Sequence, residues 1–404
     1  MEAYLLDWVN LLLRWLHVIV AIAWIGSSFY FVFLDNSLTP PTDEALRRKG
    51  VDGELWAVHG GGFYHPQKYL VAPRSLPSNL HWFYWESYST WLTGFALFTV
   101  MYLFNAGTYL IDKSVQDWSP AAAVATALAF LVVFWLVYDA TCRWVGERGQ
   151  RVGGDRAVAA VVCAVVVLAS WLACQLFAGR AAFLLVGAML ATAMSANVFF
   201  WIIPGQKKVI AQMRAGQSPE AIHGQRGKQR SVHNTYFTLP VLLAMLSNHY
   251  GWLVQGRWNW LVLVALMLAG ALIRHSFVAR HKAREQGRRA PWEWAVAGAV
   301  LIVGVMVSLA PREQAGAGSK ASAAGTRVAI SEVLAVVEQR CTVCHNAQVQ
   351  QKNVALHTEA LVRQHAQAVY QQVAVLRLMP MNNATQITED ERALIRRWFE
   401  QGTP

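Results

Sequence analysis

The stretch LHVIVAIAWIGSSFYFVFLDN, Leu16–Asn36, decides the fold. His17, Trp24, Ser28 and Asp35 interrupt this apolar run at spacings of 7, 4 and 7 residues. At about 100° per residue they fall on one helical stripe about 27 Å long, close to the thickness of a bilayer's hydrocarbon core. The stretch therefore predicts a membrane-spanning helix whose inward face is polar.

The whole chain has a membrane protein's composition. Of its 404 residues 55% are hydrophobic and only 15% are charged, and 18 are tryptophan. Such apolar content exceeds ordinary globular usage. Eight segments are long and apolar enough to span a bilayer: 11–33, 82–104, 119–139, 156–178, 181–203, 235–252, 258–279 and 292–310. The predicted fold class is all-α: an eight-helix polytopic bundle, residues 1–310, followed by a small α-helical domain.

The basic residues predict the orientation of the bundle. The net charge is +11, but Lys and Arg lie between the apolar segments and form no nucleic-acid motif. Twenty lie in four connections, 34–81, 140–156, 204–234 and 280–291. The opposite connections hold Arg14, Lys113, Arg180 and Arg257. We name these the basic-rich end and the basic-poor end. The positive-inside rule predicts both termini outside the cytoplasm, in the periplasm of a bacterial inner membrane.

A second unit follows the last apolar segment. Residues 311–326, PREQAGAGSKASAAGT, are small and of low complexity, which predicts a flexible linker. Residues 327–404 remain, too few for a thick apolar core. A domain of this size usually needs a cofactor, a metal or disulfides for stability.

The motif CTVCH in this unit is the attachment signal for c-type haem. Cys341 and Cys344 would form thioethers to the haem, and His345 would be the proximal iron ligand. A distal thioether ligand is offered by LRLMPMNN, either by Met379 or by Met381. The sequence thus predicts a periplasmic cytochrome c domain that accepts electrons.

Two other interpretations of this motif remain open. The two cysteines could form a disulfide, or they could join His357 and His365 in a structural zinc site. The remaining cysteines lie in or beside apolar segments, and we assign them no function: Cys142, Cys163 and Cys174.

Ionisable groups at membrane depth are functional candidates. His17 and His249 lie toward the basic-poor end and could ligate a b-type haem between helices. Most other candidates lie toward the basic-rich end: Asp35, His59, His65, Glu86, His233, Asn234, Arg274 and His275. Together they offer what a planar, polar anion needs, namely a cation, amide hydrogen bonds, stacking surfaces and a general base.

Four segments carry a family resemblance: LHVIVAIAWIGSSFYFVFLDNSL, GELWAVHGGGFYHPQKY, LHWFYWESYSTWLTGFAL and HNTYFTLPVLLAMLSNHY. With the tail motif, they resemble the bacterial membrane-bound, cytochrome c-type urate oxidases of purine catabolism. The resemblance implies oxidation of urate to 5-hydroxyisourate, with electrons leaving through the c-haem to a respiratory acceptor such as a cytochrome c oxidase. It carries over Cys341, Cys344 and His345, and favours Met379 as distal ligand. This chain departs from the expected pattern at Met381.

The candidate residues suggest how such a reaction would proceed. Urate would enter from the cytosol and bind among Asn234, His233 and Arg274, the last of these favouring its negative charge. The proton acceptor would be one of Glu86, His65, His59, Asp35 and His275. Two rival functions stay open: a transporter with an appended redox sensor, and a quinol-to-cytochrome electron carrier.

Overall fold

The computed structural model describes residues 2–69, 72–73, 75–149, 151–254, 256–310, 327–351 and 354–403, and these are predominantly helical. The predicted linker, 311–326, lies outside the described residues.

The helices of the first part follow the predicted apolar segments. They are α1 Glu2–Ser37, α2 Glu44–Arg48, α3 Trp85–Phe98, α4 Ala106–Tyr109, α5 Pro120–Trp144, α6 Asp155–Leu176, α7 Gly179–Ala196, α8 Ile203–Arg214, α9 Ala221–Leu246, α10 Asn259–Val278, α11 Arg280–Glu285 and α12 Glu293–Ser308. A π-helical turn, Thr99–Leu103, extends α3, and a second one, Asn197–Ile202, joins α7 to α8.

Helices occupy all eight predicted segments, but fewer meet the length and hydropathy needed to cross a membrane. In the part of the chain that the structure describes, five do so: Trp8–Ser37, Pro120–Trp144, Asp155–Leu176, Gly179–Arg214 and Asn259–Val278. The α12 helix has only 16 residues. The α9 helix begins at Ala221, well before the predicted 235, and its first half is polar.

Short strands interrupt the basic-rich end, so the expectation of an all-α fold was too strict. Three antiparallel pairs form: β1 Val51–Glu54 with β4 Gln67–Tyr69, β2 Ala57–His59 with β3 Gly62–Tyr64, and β5 Glu147–Arg148 with β6 Arg151–Val152. The β2–β3 turn needs Gly60 and Gly61 because their φ values are +58° and +80°.

The centre of the bundle is α7, which packs between α5, α6 and α9. Leu185, Met189 and Leu190 are almost fully buried. Gly187 lets α9 approach closely, since a Cβ there would lie 2.6 Å from the Cβ of Ala244. Close contact of small residues is the usual way in which helices associate in lipid.

The α1 helix lies at the edge of the bundle, on α3. The predicted polar stripe is confirmed as its inward face, since His17, Trp24, Ser28 and Asp35 are all partly buried. Large apolar side chains cover the outer face, as at Trp15, which is 64% exposed.

The tail has an apolar core of its own. Its helices are α13 Ile330–Arg340, α14 Glu359–Gln364, α15 Ala366–Val369 and α16 Glu389–Glu400, with a π-helical turn at Tyr370–Val375. Val333, Val337, Ile395 and Trp398 are nearly inaccessible in that core. Thr388 is the N-cap of α16 and forms a capping box with Glu391.

Candidate functional site

The first two long helices pair antiparallel and set the depth of the candidate residues. His17 Nδ1 lies 2.9 Å from Thr93 Oγ1. The imidazole of His17 packs directly on the backbone of Gly94, where an added Cβ would lie 2.9 Å from the ring Cε1. Toward the basic-rich end, the rings of Phe31 and Phe83 meet edge to face, with centroids 5.2 Å apart.

Glu86 and Ser28 both lie between the His17–Thr93 and Phe31–Phe83 contacts, nearer to the second. Arg274 of α10 reaches this stretch of the bundle, because its guanidinium Nη2 lies 3.5 Å from Ser28 Oγ. Three helices thus place a carboxylate, a hydroxyl and a cation in the same stretch of the bundle.

Arg274 is buried without a counter-charge. Its side chain is 2% exposed, its Nε has no hydrogen-bond partner, and it lies 4.2 Å above the ring of Phe29. Among the described residues no carboxylate comes within ion-pair distance. A buried unpaired charge is costly, so this geometry favours an anionic ligand.

Glu86 is also incompletely bonded. Its Oε2 is buried and has no hydrogen-bond partner. The unbonded atoms of Glu86 and Arg274 are groups that a polar ligand in this stretch of the bundle could satisfy.

His275 completes this group from the next position on α10. Its Nδ1 lies 2.6 Å from Tyr236 Oη of α9, and the two rings stack. Trp294 of α12 packs edge-on against the imidazole, with centroids 5.2 Å apart. We name Ser28, Glu86, Tyr236, Arg274 and His275 the Arg274 cluster. It can supply a positive charge, a proton acceptor and aromatic contacts.

A second buried polar network was not predicted. Arg230 is 1% exposed, bonds Asp139 Oδ1 at 2.8 Å and stacks on the rings of Tyr138 and Trp201. Trp201 Nε1 donates to the same carboxylate oxygen at 2.7 Å. This guanidinium is paired, unlike that of Arg274. The positive-inside count treated Arg230 as a loop residue, whereas the structure places it inside α9.

His233 and Asn234 belong to this second network and not to the Arg274 cluster. His233 Nδ1 lies 2.8 Å from Tyr138 Oη. Asn234 accepts a hydrogen bond from Asn197 Nδ2 and donates to the carbonyl of Met194. Both side chains therefore lie on the face of α9 that packs on α5 and α7, whereas Tyr236 faces α10.

Three further candidates at the basic-rich end are either bonded to other side chains or exposed: Asp35, His59 and His65. Asp35 pairs with Lys68 at 2.6 Å. His65 Nε2 lies 2.6 Å from Glu54 Oε2, while His59 is exposed on its hairpin. The structure does not bring these three to the Arg274 cluster.

The structure also separates His17 from His249. His17 lies level with Thr93, whereas Asn248 accepts a hydrogen bond from Tyr102 Oη at 3.0 Å. Tyr102 is nine residues beyond Thr93, about 13 Å along the helix. His249 is exposed past the end of α9. Two histidines at different depths do not fit one haem iron between them.

The tail motif, for which the sequence predicts haem attachment, forms one compact turn. One helical turn joins the residues, since the backbone N–H groups of Cys344 and His345 both donate to the carbonyl of Cys341. His345 Nδ1 donates to the carbonyl of Val354 at 2.9 Å, because a carbonyl can only accept. This bond leaves a lone pair on Nε2, as a metal-binding imidazole requires. Burial raises the pKa of the Cys341 thiol to about 11, so the side chain is neutral.

The structure does not support the zinc alternative. Within the described ranges, no three His, Cys, Asp or Glu side chains converge as a metal site. His357 is exposed, and Cys341 and Cys344 are both free thiols.

Met379 is held more firmly than Met381. It packs on the tail core, and its carbonyl accepts a hydrogen bond of 2.9 Å from the buried Arg392. Met381 begins a 3₁₀ turn, Met381–Asn383, outside that core.

We therefore expect Met379→Ala to remove the distal ligand. The haem reduction potential should fall by the order of hundreds of millivolts, because axial ligands set such potentials over about 0.8 V. Met381→Ala should leave it nearly unchanged. Spectroelectrochemical titration of both variants checks this, and the opposite order of effects would assign the ligand to Met381.

An ion pair links α13 to α16 in the tail. Arg340 binds Glu391 through Nε and Nη2 at 3.0–3.2 Å. Burial alone would raise the pKa of Glu391, but hydrogen bonds from Thr388 and Arg340 outweigh it and lower the pKa. The carboxylate thus stabilises the fold above its unfolded pKa, and this stability is lost as pH falls through the lowered folded pKa.

Glu391→Gln should therefore lower the free energy of unfolding of the tail at pH 7 by about 1 kcal/mol. The difference from wild type should shrink at pH 3, because the stability that the carboxylate contributes is lost as pH falls through its lowered pKa. Thermal unfolding at both values measures this, with the exposed Glu338→Gln as control. An equal loss at both pH values would show that ionisation plays no part.

Comparison with known proteins gives one match. The family model described as urate oxidase N-terminal matches residues 3–310, the part that holds the Arg274 cluster and stops before the tail. No curated protein and no solved structure matches the chain. The chain belongs to the urate oxidase N-terminal family.

Proposed function

We propose that the chain is a membrane-bound oxidoreductase that converts urate to 5-hydroxyisourate and passes the electrons through a covalent c-haem in the tail. The observation that carries the proposal is Arg274, which is buried and has no counter-charge among the described residues. Family membership supports the urate-related chemistry. The CTVCH turn with its oriented His345 supports an electron acceptor.

Urate is a planar anion at neutral pH, and the Arg274 cluster suits such a molecule. The guanidinium of Arg274 offers charge and several N–H donors, and Ser28 adds a hydroxyl. The rings of Tyr236 and Trp294 supply apolar contact near the cation. Ligand binding would satisfy the unbonded Nε and remove the cost of the unpaired charge.

Glu86 is the proposed proton acceptor. Oxidation of urate to 5-hydroxyisourate consumes one water and releases two protons and two electrons. A carboxylate with a free, buried oxygen can take a proton from the substrate as the electrons leave. Water then adds to the oxidised ring, and Tyr236 and His275 can relay the second proton toward the basic-rich end.

The residues of the tail fit a c-type haem: Cys341 and Cys344 for covalent attachment, His345 as proximal ligand and Met379 as distal ligand. When bound, this group would accept one electron at a time, so each urate needs two transfers. The pairing of His17 with His249 is not retained, because the structure separates them. Binding of a b-type haem elsewhere stays a prediction, which a pyridine haemochrome spectrum tests.

The topology follows the charge asymmetry. All eight helices would cross a bacterial inner membrane, with the basic-rich end in the cytosol and both termini in the periplasm. Urate would enter from the cytosol, and the tail would deliver electrons to a periplasmic partner of the respiratory chain. Lipid would cover the apolar outer face of α1.

The variant Cys344→Ser tests the coupling of substrate to tail. We expect loss of covalent haem and of urate oxidation, with urate binding retained. The lipid-side Cys163→Ser is the control and should behave as wild type. If Cys344→Ser oxidised urate at the wild-type rate, the tail would not be the acceptor. Reduction of the wild-type haem by a quinol but not by urate would favour the electron-carrier alternative, and urate uptake into vesicles without oxidation would favour the transporter.

A further inference from the structure

We infer that the Met379-bearing loop, Arg377–Asn383, is the face with which the tail docks on the basic-poor end of the bundle and through which it receives electrons. We name this segment the docking loop. The role in electron transfer rests on the proposed function, whereas the docking contact stands on the geometry alone.

Asn382 makes the most specific contact. Its Nδ2 donates to the carbonyls of Thr108 and Tyr109, both at 2.8 Å. These residues end α4, where helix carbonyls lack partners within the helix. Asn382 has a φ of +49°, a left-handed conformation that asparagine tolerates, and this turns its amide to the bundle.

Leu378 makes the apolar contact. It lies directly on Gly251, in the 3₁₀ turn after α9, where a Cβ would overlap the leucine side chain. The Nη2 of Arg180 borders the same spot. Only a residue without a side chain lets the docking loop approach this closely.

The rest of the interface is open and polar. A cleft of about 510 Å³ lies between the two parts, and arginines and acids from both sides line it: Asp112, Arg180, Arg257, Arg377, Glu389 and Arg392. Interfaces that carry electrons between proteins are typically small and polar, because they must release as well as bind. The docked tail has this character.

Docking assigns different faces of the tail to electron entry from the bundle and to electron exit toward the respiratory partner. Met379 lies between Leu378 and Asn382, so the Met side of the haem site faces the bundle. Val343 and Cys344 stay exposed in the docked tail, with Val343 64% exposed. Electrons would enter at the Met379 side and leave at the Cys344 side.

Two variants disrupt docking without touching the haem ligands. Asn382→Gly removes the amide and keeps the left-handed backbone at no steric cost. Gly251→Leu fills the space of Leu378. Each should slow urate-driven reduction of the haem at least tenfold, while haem content and the dithionite-reduced spectrum stay unchanged. Their matched controls, the exposed Gln386→Gly with a φ of +57° outside the docking loop and Gly107→Leu in open space, should match wild type.

Cross-linking tests the contact without any urate chemistry. In the full chain, with a protease site placed within 311–326, Thr108→Cys with Ala384→Cys should be joined by a short bismaleimide. The tail then stays with the membrane after cleavage. The control pair, Thr108→Cys with Ala347→Cys at an exposed position outside the docking loop, should not be joined. Equal yields from both pairs, or none from the first, would overturn the docking face.

Failure of the proposed function has a different signature. If urate reduced no haem in the wild type while the first cysteine pair still cross-linked, the docking contact would be supported and the proposed urate oxidation would be contradicted. If docking variants reduced haem at the wild-type rate, the contact would not be the electron entry.

Discussion

Glu86→Gln is expected to lower urate turnover by a factor of about 10² to 10⁴, the usual contribution of a general base. The amide keeps the shape and polarity of the side chain but cannot take a proton. Urate binding should change little, because Arg274 supplies the charge. Steady-state kinetics and equilibrium binding on the purified variant measure the two quantities separately.

The control for this prediction is Glu293→Gln, an exposed acid in the first turn of α12 at the same end of the bundle. It should retain wild-type turnover. If Glu86→Gln also retained full turnover, the proton acceptor would have to be sought elsewhere, with His275 the next candidate.

Arg274→Gln is expected to weaken urate binding about 10- to 100-fold, the effect of losing charge-assisted hydrogen bonds. The same change should leave the thermal stability of the ligand-free protein unchanged or raised, because it removes a buried charge that nothing in the fold compensates. A purely structural arginine would behave in the opposite way.

Arg230→Gln is the matched control for Arg274→Gln. Arg230 is equally buried but paired with Asp139, so its loss leaves this carboxylate with only the longer 3.7 Å pair to Arg143 and should destabilise by about 3 kcal/mol. Thermal unfolding in detergent, with and without urate, separates the two arginines. A marked loss of stability in Arg274→Gln without urate would contradict the ligand-binding role.

Much of the bundle was predictable because its signals are local. The 3.6-residue period of Leu16–Asn36 identified the inward stripe of α1, and apolar length located the helices. Glu86 and Arg274 were candidates because charge at membrane depth is costly. Local patterns could not show that Arg274 lacks a counter-charge, because the surroundings of its side chain are formed by four helices that are separate in sequence.

The errors have physical reasons. Arg230 and Asp139 are 91 residues apart in sequence, so their ion pair is invisible to any local pattern. The position of His249 relative to His17 depends on where α9 ends beside the first helices, which no local pattern shows, so their pairing in a haem site stays a prediction without support from the structure. The β2–β3 hairpin forms because Gly60 and Gly61 adopt positive φ values. A hydropathy plot does not detect such a backbone conformation.

In the tail, too, some features were predictable from local sequence and others were not. Cys341, Cys344 and His345 are adjacent in sequence, so the motif alone defined their roles. The hydrogen bond that orients His345, and the contact of Asn382 with α4, join segments far apart in the chain. Only the folded structure shows these two contacts.

Rapid anaerobic mixing of the purified full chain with urate, followed by the absorbance of the c-haem, shows whether electrons from urate reach the tail. We expect the haem to be reduced as urate disappears, with two electrons recovered per 5-hydroxyisourate formed and no hydrogen peroxide. Disappearance of urate with the haem still oxidised, or the absence of any reaction in a protein that carries covalent haem, would contradict the proposed function.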